Sequence, residues 1–489
     1  MDVPIIPGFY PDPSICRVGD DYYLASSTFE YKPGVPIHRS RDLVSWELVG
    51  NALTTDEQLD VSDSPASLGV CAPTLRHHDG RFWLITTNNH HIEQGHTIVH
   101  AEHAEGPWSP PVFTAGTIGI DPDLAWDDDG QAVMTWTSFD SRWFGIVQAR
   151  VDLTTGEIGE TPRQLWSGTG LSSPEGPHVF RRGDFWYLLV AEGGTQSGHG
   201  VSIARSRSIE GPFESGPANP ILTHRSTEHP VQNTGHADMV ELPDGTWAMV
   251  YLGVRPRGGG AGFHVNGRET FLAGIEWHDG WPTVIEDAFT PAPVDTSIDD
   301  HFTQSLAPHW ISPRVNLATF TAPAADGGFD VSAARGNAAV LTRTRDEYWE
   351  ATVRMSVPSG ASARLIVRLD DSHWTGIDVA DDAAVARQQI GAHVVDLGEP
   401  HVVQSEVAAY VRAVPAPAGH PALQTNPDIL VFGIIDGSGE RHELGRAAGR
   451  YLATEVAGGF TGRTVGLQTL SRTVRLSHFT YTPLSQESA

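Results

Sequence analysis

A turn-and-strand unit recurs five times in the first 290 residues, and it restricts the fold more than any other feature. The unit is an acidic or glycine turn followed by an apolar, mostly aromatic strand. It reads Gly19-Asp20-Asp21-Tyr22-Tyr23-Leu24-Ala25, then Asp79-Gly80-Arg81-Phe82-Trp83-Leu84-Ile85. A weaker copy, Asp128-Asp129-Gly130-Gln131-Ala132-Val133-Met134, comes third. The last two are Gly183-Asp184-Phe185-Trp186-Tyr187-Leu188-Leu189 and Asp244-Gly245-Thr246-Trp247-Ala248-Met249-Val250. Several copies are followed by a second turn carrying an aromatic residue: Leu43 to Trp46, Gly106-Pro107-Trp108 and Gly211-Pro212-Phe213. A hairpin roughly every 50 to 60 residues, with about four short strands between hairpins, is the pattern of propeller blades. The repeat therefore predicts a five-bladed β-propeller over residues 1–290. A plain series of hairpins in a sandwich is the alternative, and the shared turn chemistry argues against it.

The repeat stops at a proline-rich stretch, Ala288-Phe289-Thr290-Pro291-Ala292-Pro293-Val294-Asp295. Residues 291–297 read as a linker. Beyond it, alternating runs such as Ala363–Leu369 and Thr464–Gln468 predict a second domain, 298–489, built as a concanavalin-like antiparallel β-sandwich. Asp381 to Gln404 shows no clear pattern.

The chain carries 60 acidic against 32 basic residues, a net charge of -28. Such a surface repels nucleic acid and anionic membranes, so neither is an expected partner, whereas a neutral substrate is compatible. Cys16 and Cys71 make neither a disulfide framework nor a zinc motif. The start, Met1 to Pro7, has no basic segment followed by an apolar one, and no apolar run approaches membrane-span length, so a cytoplasmic location is expected.

Three acids stand in stiff contexts. Asp12 lies between Pro11 and Pro13, Asp121 precedes Pro122, and Glu175 sits in Pro174-Glu175-Gly176-Pro177. Proline fixes its own φ and restricts its predecessor, which suits a side chain that must hold position. Each alone is a turn residue. Together, each just before a blade's aromatic strand, they would converge at one end of a propeller channel. Paired carboxyls are what hydrolysis of a glycosidic bond requires. A non-catalytic carbohydrate-binding propeller would need aromatic platforms without these acids.

Several motifs resemble glycoside hydrolase family 43, above all its β-xylosidases with a C-terminal sandwich. They are Phe9-Tyr10-Pro11-Asp12-Pro13-Ser14-Ile15, Ser27-Thr28-Phe29-Glu30, Glu175-Gly176-Pro177-His178, Glu192-Gly193-Gly194-Thr195 and Gly267-Arg268-Glu269-Thr270. Leu452 to Gly462 is a softer match in the second domain. The resemblance implies an inverting mechanism, with Asp12 as general base, Glu175 as general acid and Asp121 tuning that acid. It implies that Arg268 bonds the sugar in the deepest subsite, that Phe29 lines the pocket, and that His236 lies near the channel centre, where many relatives hold calcium or a water cluster. Thr195 and His199 are further candidates for the pocket wall.

No cofactor is required on this reading, and calcium beside His236 is the one metal it brings into view, although no oxygen-rich loop demands it. Relatives usually place a tryptophan where Cys71 stands, before Ala72-Pro73, and an apolar residue where Lys32 stands. The pocket is thus expected to be wider, or refilled by a side chain such as Trp143. The expected function is an exo-acting glycosidase that removes terminal pentoses from a small oligosaccharide, β-D-xylose first and α-L-arabinofuranose second or alongside it. Another furanoside or a galactoside comes third, prompted by Cys71. Relatives with this sandwich assemble as homo-oligomers, so an oligomer is expected by resemblance.

Overall fold

The computed structural model describes residues 2–143, 145–259, 262–291, 294–303, 305–335, 337–417 and 425–487. Ala292 and Pro293 of the expected linker lie outside the described residues. The first 285 residues form five four-stranded antiparallel sheets, each built from one contiguous stretch of chain. Their first strands are Ser14–Val18, Val70–His78, Gly119–Trp126, Glu175–Arg182 and Gln232–Glu241. These five touch in a closed ring, so they line the channel of a five-bladed propeller.

The repeat has a physical reason. Twisted sheets arranged around an axis leave wedges between them, and the aromatic residues fill these wedges. There are five such apolar clusters, one at each junction of adjacent blades. Phe82 packs between blades one and two, Trp186 between three and four, Tyr187 and Trp247 between four and five, and Tyr22 between five and one. The repeat's turn glycines, Gly19, Gly80, Gly130, Gly183 and Gly245, all have positive φ, between 59° and 84°. The weak third copy still turns, because Asp127 Oδ1 accepts the N–H groups of Asp129 and Gln131 at 3.0 and 2.8 Å.

Among the described residues, no blade borrows a strand from another to close the ring. Closure comes instead from the N-terminal segment, whose Ile5 N–H donates to the Thr270 carbonyl in blade five at 2.9 Å. A buried ionic hub inside the channel completes it. Arg76 of blade two donates to Asp123 of blade three and to Asp238 of blade five, both at 2.7 Å. Asp238 also accepts Ser14 Oγ and Ile15 N of blade one at 2.9 and 3.0 Å. His178 of blade four lies 3.0 Å from the same guanidinium. Each blade contributes to one knot of charge that plugs the channel.

Beyond Ile298 an eight-stranded and a seven-stranded antiparallel sheet stack as a sandwich. Trp349–Ser356 alternates buried and partly exposed residues, and Trp349, Ala351, Val353 and Met355 point into the shared core. The stretch without sequence pattern, 381–404, forms the strand Ala383–Ile390 and, at the edge beside it, His393–Asp396 and His401–Val402. The two edge strands are exposed, which removes the alternation that a sequence reading needs there.

The two parts are joined by buried polar contacts. Tyr31–Lys32 pairs with Ser312–Pro313 as a short antiparallel bridge. Arg343 of the sandwich donates to the Phe9 carbonyl at 3.0 Å and lies over the rings of Phe9 and Tyr10. It thereby braces the segment that leads into Asp12.

Candidate active site

Every inner strand begins with a distortion that places one residue in the left-handed region. These residues are Asp12, Ala72, Asp121, Gly176 and His236, with φ of 56°, 42°, 55°, 57° and 45°. In blades two to five the register of the inner strand shifts there. Such bulges re-aim side chains that a regular strand would bury in its neighbours. Proline follows in the first four blades, and alanine in the fifth. The sequence signal of an acid before proline was therefore the trace of a fivefold backbone feature. Two blades use the bulge position for an acid, one for histidine. In blade four the acid stands one residue earlier, as Glu175.

Asp12 is nearly buried. Its Oδ2 accepts Ser27 Oγ at 2.6 Å, and Ser27 Oγ in turn accepts the Ala72 N–H at 2.7 Å. Its Oδ1 accepts Arg268 Nη1 at 3.2 Å, and His236 Nδ1 stands 3.6 Å away. Burial alone would raise its pKa, but Arg268, His236 and the Ser27 hydroxyl together hold it below the ordinary carboxylate value. The two other acids go the opposite way. Burial and the charge of Asp12 push Glu175 up to about 7. Burial, Glu175 and Asp12 push Asp121 well above its usual range, although its Oδ2 accepts Gly176 N at 3.0 Å. Asp121 and Glu175 thus form a pair that resists losing its last proton, beside a committed anion.

Arg268 Nη1 also donates to Thr195 Oγ1 at 3.2 Å, so two of the expected wall residues meet. Phe29, Cys71 and Ala72 pack as one small buried cluster. The Cys71 thiol is held protonated by burial and by Asp121 and Asp12, so it acts as an apolar wall. His199 Nδ1 faces the Asn233 carbonyl at 2.9 Å, its ring presses on Gly235, and burial lowers it to about 4. His236 is lowered to about 4 by burial too, and stands neutral against Gly176.

Two expected neighbours are elsewhere. Lys32 is buried at the junction of the two parts and donates to Asp56 at 2.6 Å. Trp143 packs on the apolar cluster between blades two and three. Beneath His236, Asp123 and Asp238 are bonded to Arg76 and to backbone N–H groups.

Three participants escaped the sequence reading. Ser27 was noted as motif but given no task. Phe460 comes from the sandwich: its ring stacks on Phe29 at 6.0 Å, and Arg268 lies 5.3 Å from its centroid. Ser67 holds Phe460 there, accepting its N–H at 2.9 Å, while the Ser67 N–H donates to Glu30 at 2.9 Å. The motif glutamates are scaffolding. Glu30 anchors Arg368 of the sandwich, Glu192 accepts Thr169, and Glu269 ties Arg255 to the Gly8 N–H.

The chain is similar to several known proteins. Over 288 residues, 58% of the chain, it is 46% identical to a non-reducing end alpha-L-arabinofuranosidase of Bacteroides ovatus and covers 53% of that protein. Over 303 residues, 58% of the chain, it is 42% identical to a xylan 1,3-beta-xylosidase of a Vibrio species and covers 56% of it. The chain thus matches about half the length of these curated relatives. A solved xylan beta-1,4-xylosidase from Bacillus halodurans superposes with a TM-score of 0.87 at 29% identity, over 99% of this chain and 100% of that one. The family model described as glycosyl hydrolases family 43 matches residues 1–282, and this chain belongs to that family.

Proposed function

We propose that the protein is an exo-acting, inverting glycosidase that removes terminal pentoses from short oligosaccharides. The observation that carries this reading is the split between its carboxyls: Asp12 is held ionised while Glu175 is pushed up to about 7 in the same site. Two carboxyls with opposite tendencies can serve as base and acid in one turnover. Asp12 takes a proton from water, which attacks the anomeric carbon from the face opposite the leaving group. Glu175 gives its proton to the departing oxygen. Asp121 holds the Gly176 N–H and, with Glu175, keeps a proton in reserve. Arg268 and Thr195 offer polar groups to sugar hydroxyls, while Phe29, Cys71 and Phe460 provide the apolar wall.

β-D-xylose is the first choice of sugar and α-L-arabinofuranose the second. Relatives named for each activity resemble the chain to nearly the same degree, which favours dual action. The test is release of nitrophenol from aryl β-xyloside and aryl α-arabinofuranoside. Asp12→Ala and Glu175→Ala should each lose about 10²–10⁴-fold on a natural disaccharide while remaining folded. Unchanged rates in both variants would remove the proposal. Proton NMR of the first product should show the inverted anomer, and retention would make Asp12 a nucleophile.

A further inference from the structure

We infer that Asp63, His90 and His91 form a zinc site on the rim of the second blade. His90 and His91 follow Asn88, which ends the strand Arg81–Asn88, at the same end of the propeller as the acids. Asp63 comes from the segment that joins blades one and two. Its Oδ1 lies 3.3 Å from His90 Nε2 and 3.5 Å from His91 Nε2, and one ligand atom from each residue fits within 4.8 Å of the others. These separations exceed an ordinary hydrogen bond. They match the edges of a tetrahedron around zinc, where bonds of about 2.0–2.2 Å set ligand atoms roughly 3.3–3.6 Å apart.

Two further observations point to a ligand. His91 Nε2 is buried without a hydrogen-bond partner, which costs energy unless something fills the gap. The other nitrogen of that ring, Nδ1, faces Glu93 Oε1 at 3.5 Å. A carboxylate on that side favours the tautomer that carries the proton on Nδ1, which leaves Nε2 free to bind metal, and a bound ion would draw the two into the outer-shell arrangement common to zinc histidines. Two imidazoles and one carboxylate favour zinc over calcium or magnesium, which choose oxygen. The Asp63 side chain is 68% exposed, so an ion can enter from solvent and water can complete the fourth position.

The site would join two segments that shape the pocket. The segment with Asp63 also carries Ser67, which holds Phe460 and reaches Glu30. The turn with His90 and His91 starts at Asn89, next to Cys71. Zinc would therefore stiffen the wall around Phe460 and Cys71 from outside. This assignment stands whether or not the glycosidase reading holds.

Isothermal titration of the chelator-treated full chain with zinc chloride is the test. One zinc per chain should bind at this site, and that binding should disappear in His90→Ala and His91→Ala. Glu93→Gln should weaken it roughly tenfold, as loss of an outer-shell carboxylate does. His301→Ala, in a separate exposed cluster with Asp299 and His478, should leave it unchanged. Zinc should also slow amide hydrogen exchange across residues 57–68 in the wild type. Failure of the wild type to bind zinc would overturn the assignment, as would equal uptake by wild type and both histidine variants.

Discussion

Glu175 and Asp12 stand in one site but respond to burial in opposite ways, because only Asp12 has a cation and a hydroxyl on its oxygens. This difference sets the pH profile. kcat/KM should be level across the acid side, where Asp12 is held ionised and Glu175 protonated, and fall above about pH 7, where Glu175 loses its proton. In Glu175→Gln that alkaline fall should vanish along with most of the activity. Stability follows the same group. A carboxyl whose pKa is raised on folding contributes most below its unfolded value near 4.5, and that contribution is gone once pH passes about 7. Above pH 7 the wild type holds a second buried anion beside Asp12. Glu175→Gln should therefore stabilise the protein at pH 8, by on the order of 3 kcal/mol, and do little at pH 4, as thermal unfolding at both values would show. The three acids were legible in the sequence because proline beside a carboxylate is a local signal. The direction of each shift was only partly legible. Asp121 was expected to tune Glu175; in the fold the two repel each other, and burial and Asp12 push both upward.

At the scale of the strand, the bulge at the start of each inner strand is the device that presents chemistry. It needs a residue that tolerates positive φ and has room for its side chain. Gly176 has φ of 57°, and a Cβ there would meet the His236 ring at 3.0 Å. Gly176→Ala should cost about 1–3 kcal/mol and shift Glu175 against Asp12. Its denaturation midpoint should fall and kcat should fall more than KM rises. The turn glycines of the repeat are different, because open space surrounds Gly80 and Gly183 and only the positive φ constrains them. The blades were legible because turn chemistry and aromatic strands are local. The bulges were not, since the register shifts appear only when the second strand of each blade is paired.

For the whole molecule, the decisive contacts link residues far apart in sequence. The hub joins Ser14 to Asp238 and Arg76 to both Asp123 and Asp238, and no local pattern announces it. Arg76→Met would leave two buried carboxylates unpaired, at a cost of about 3–5 kcal/mol. Calorimetry should show a lower melting temperature, with blades one, three and five losing hydrogen-exchange protection together. Phe460 is the other distant contact. It reaches the pocket from the sandwich because Ser67 and Glu30 hold the propeller's side of the joint. Phe460→Ala should raise KM for a disaccharide several-fold and leave the melting temperature within a few degrees, because that ring is 37% exposed.

The hub of charge inside the channel bonds to groups from all five blades. On the proposed function, a sugar end held between the acids and this hub would leave by the rim it entered, after the rest of the oligosaccharide has departed. Such last-out release leaves the site occupied by its own product, and free pentose should compete with the next substrate for it.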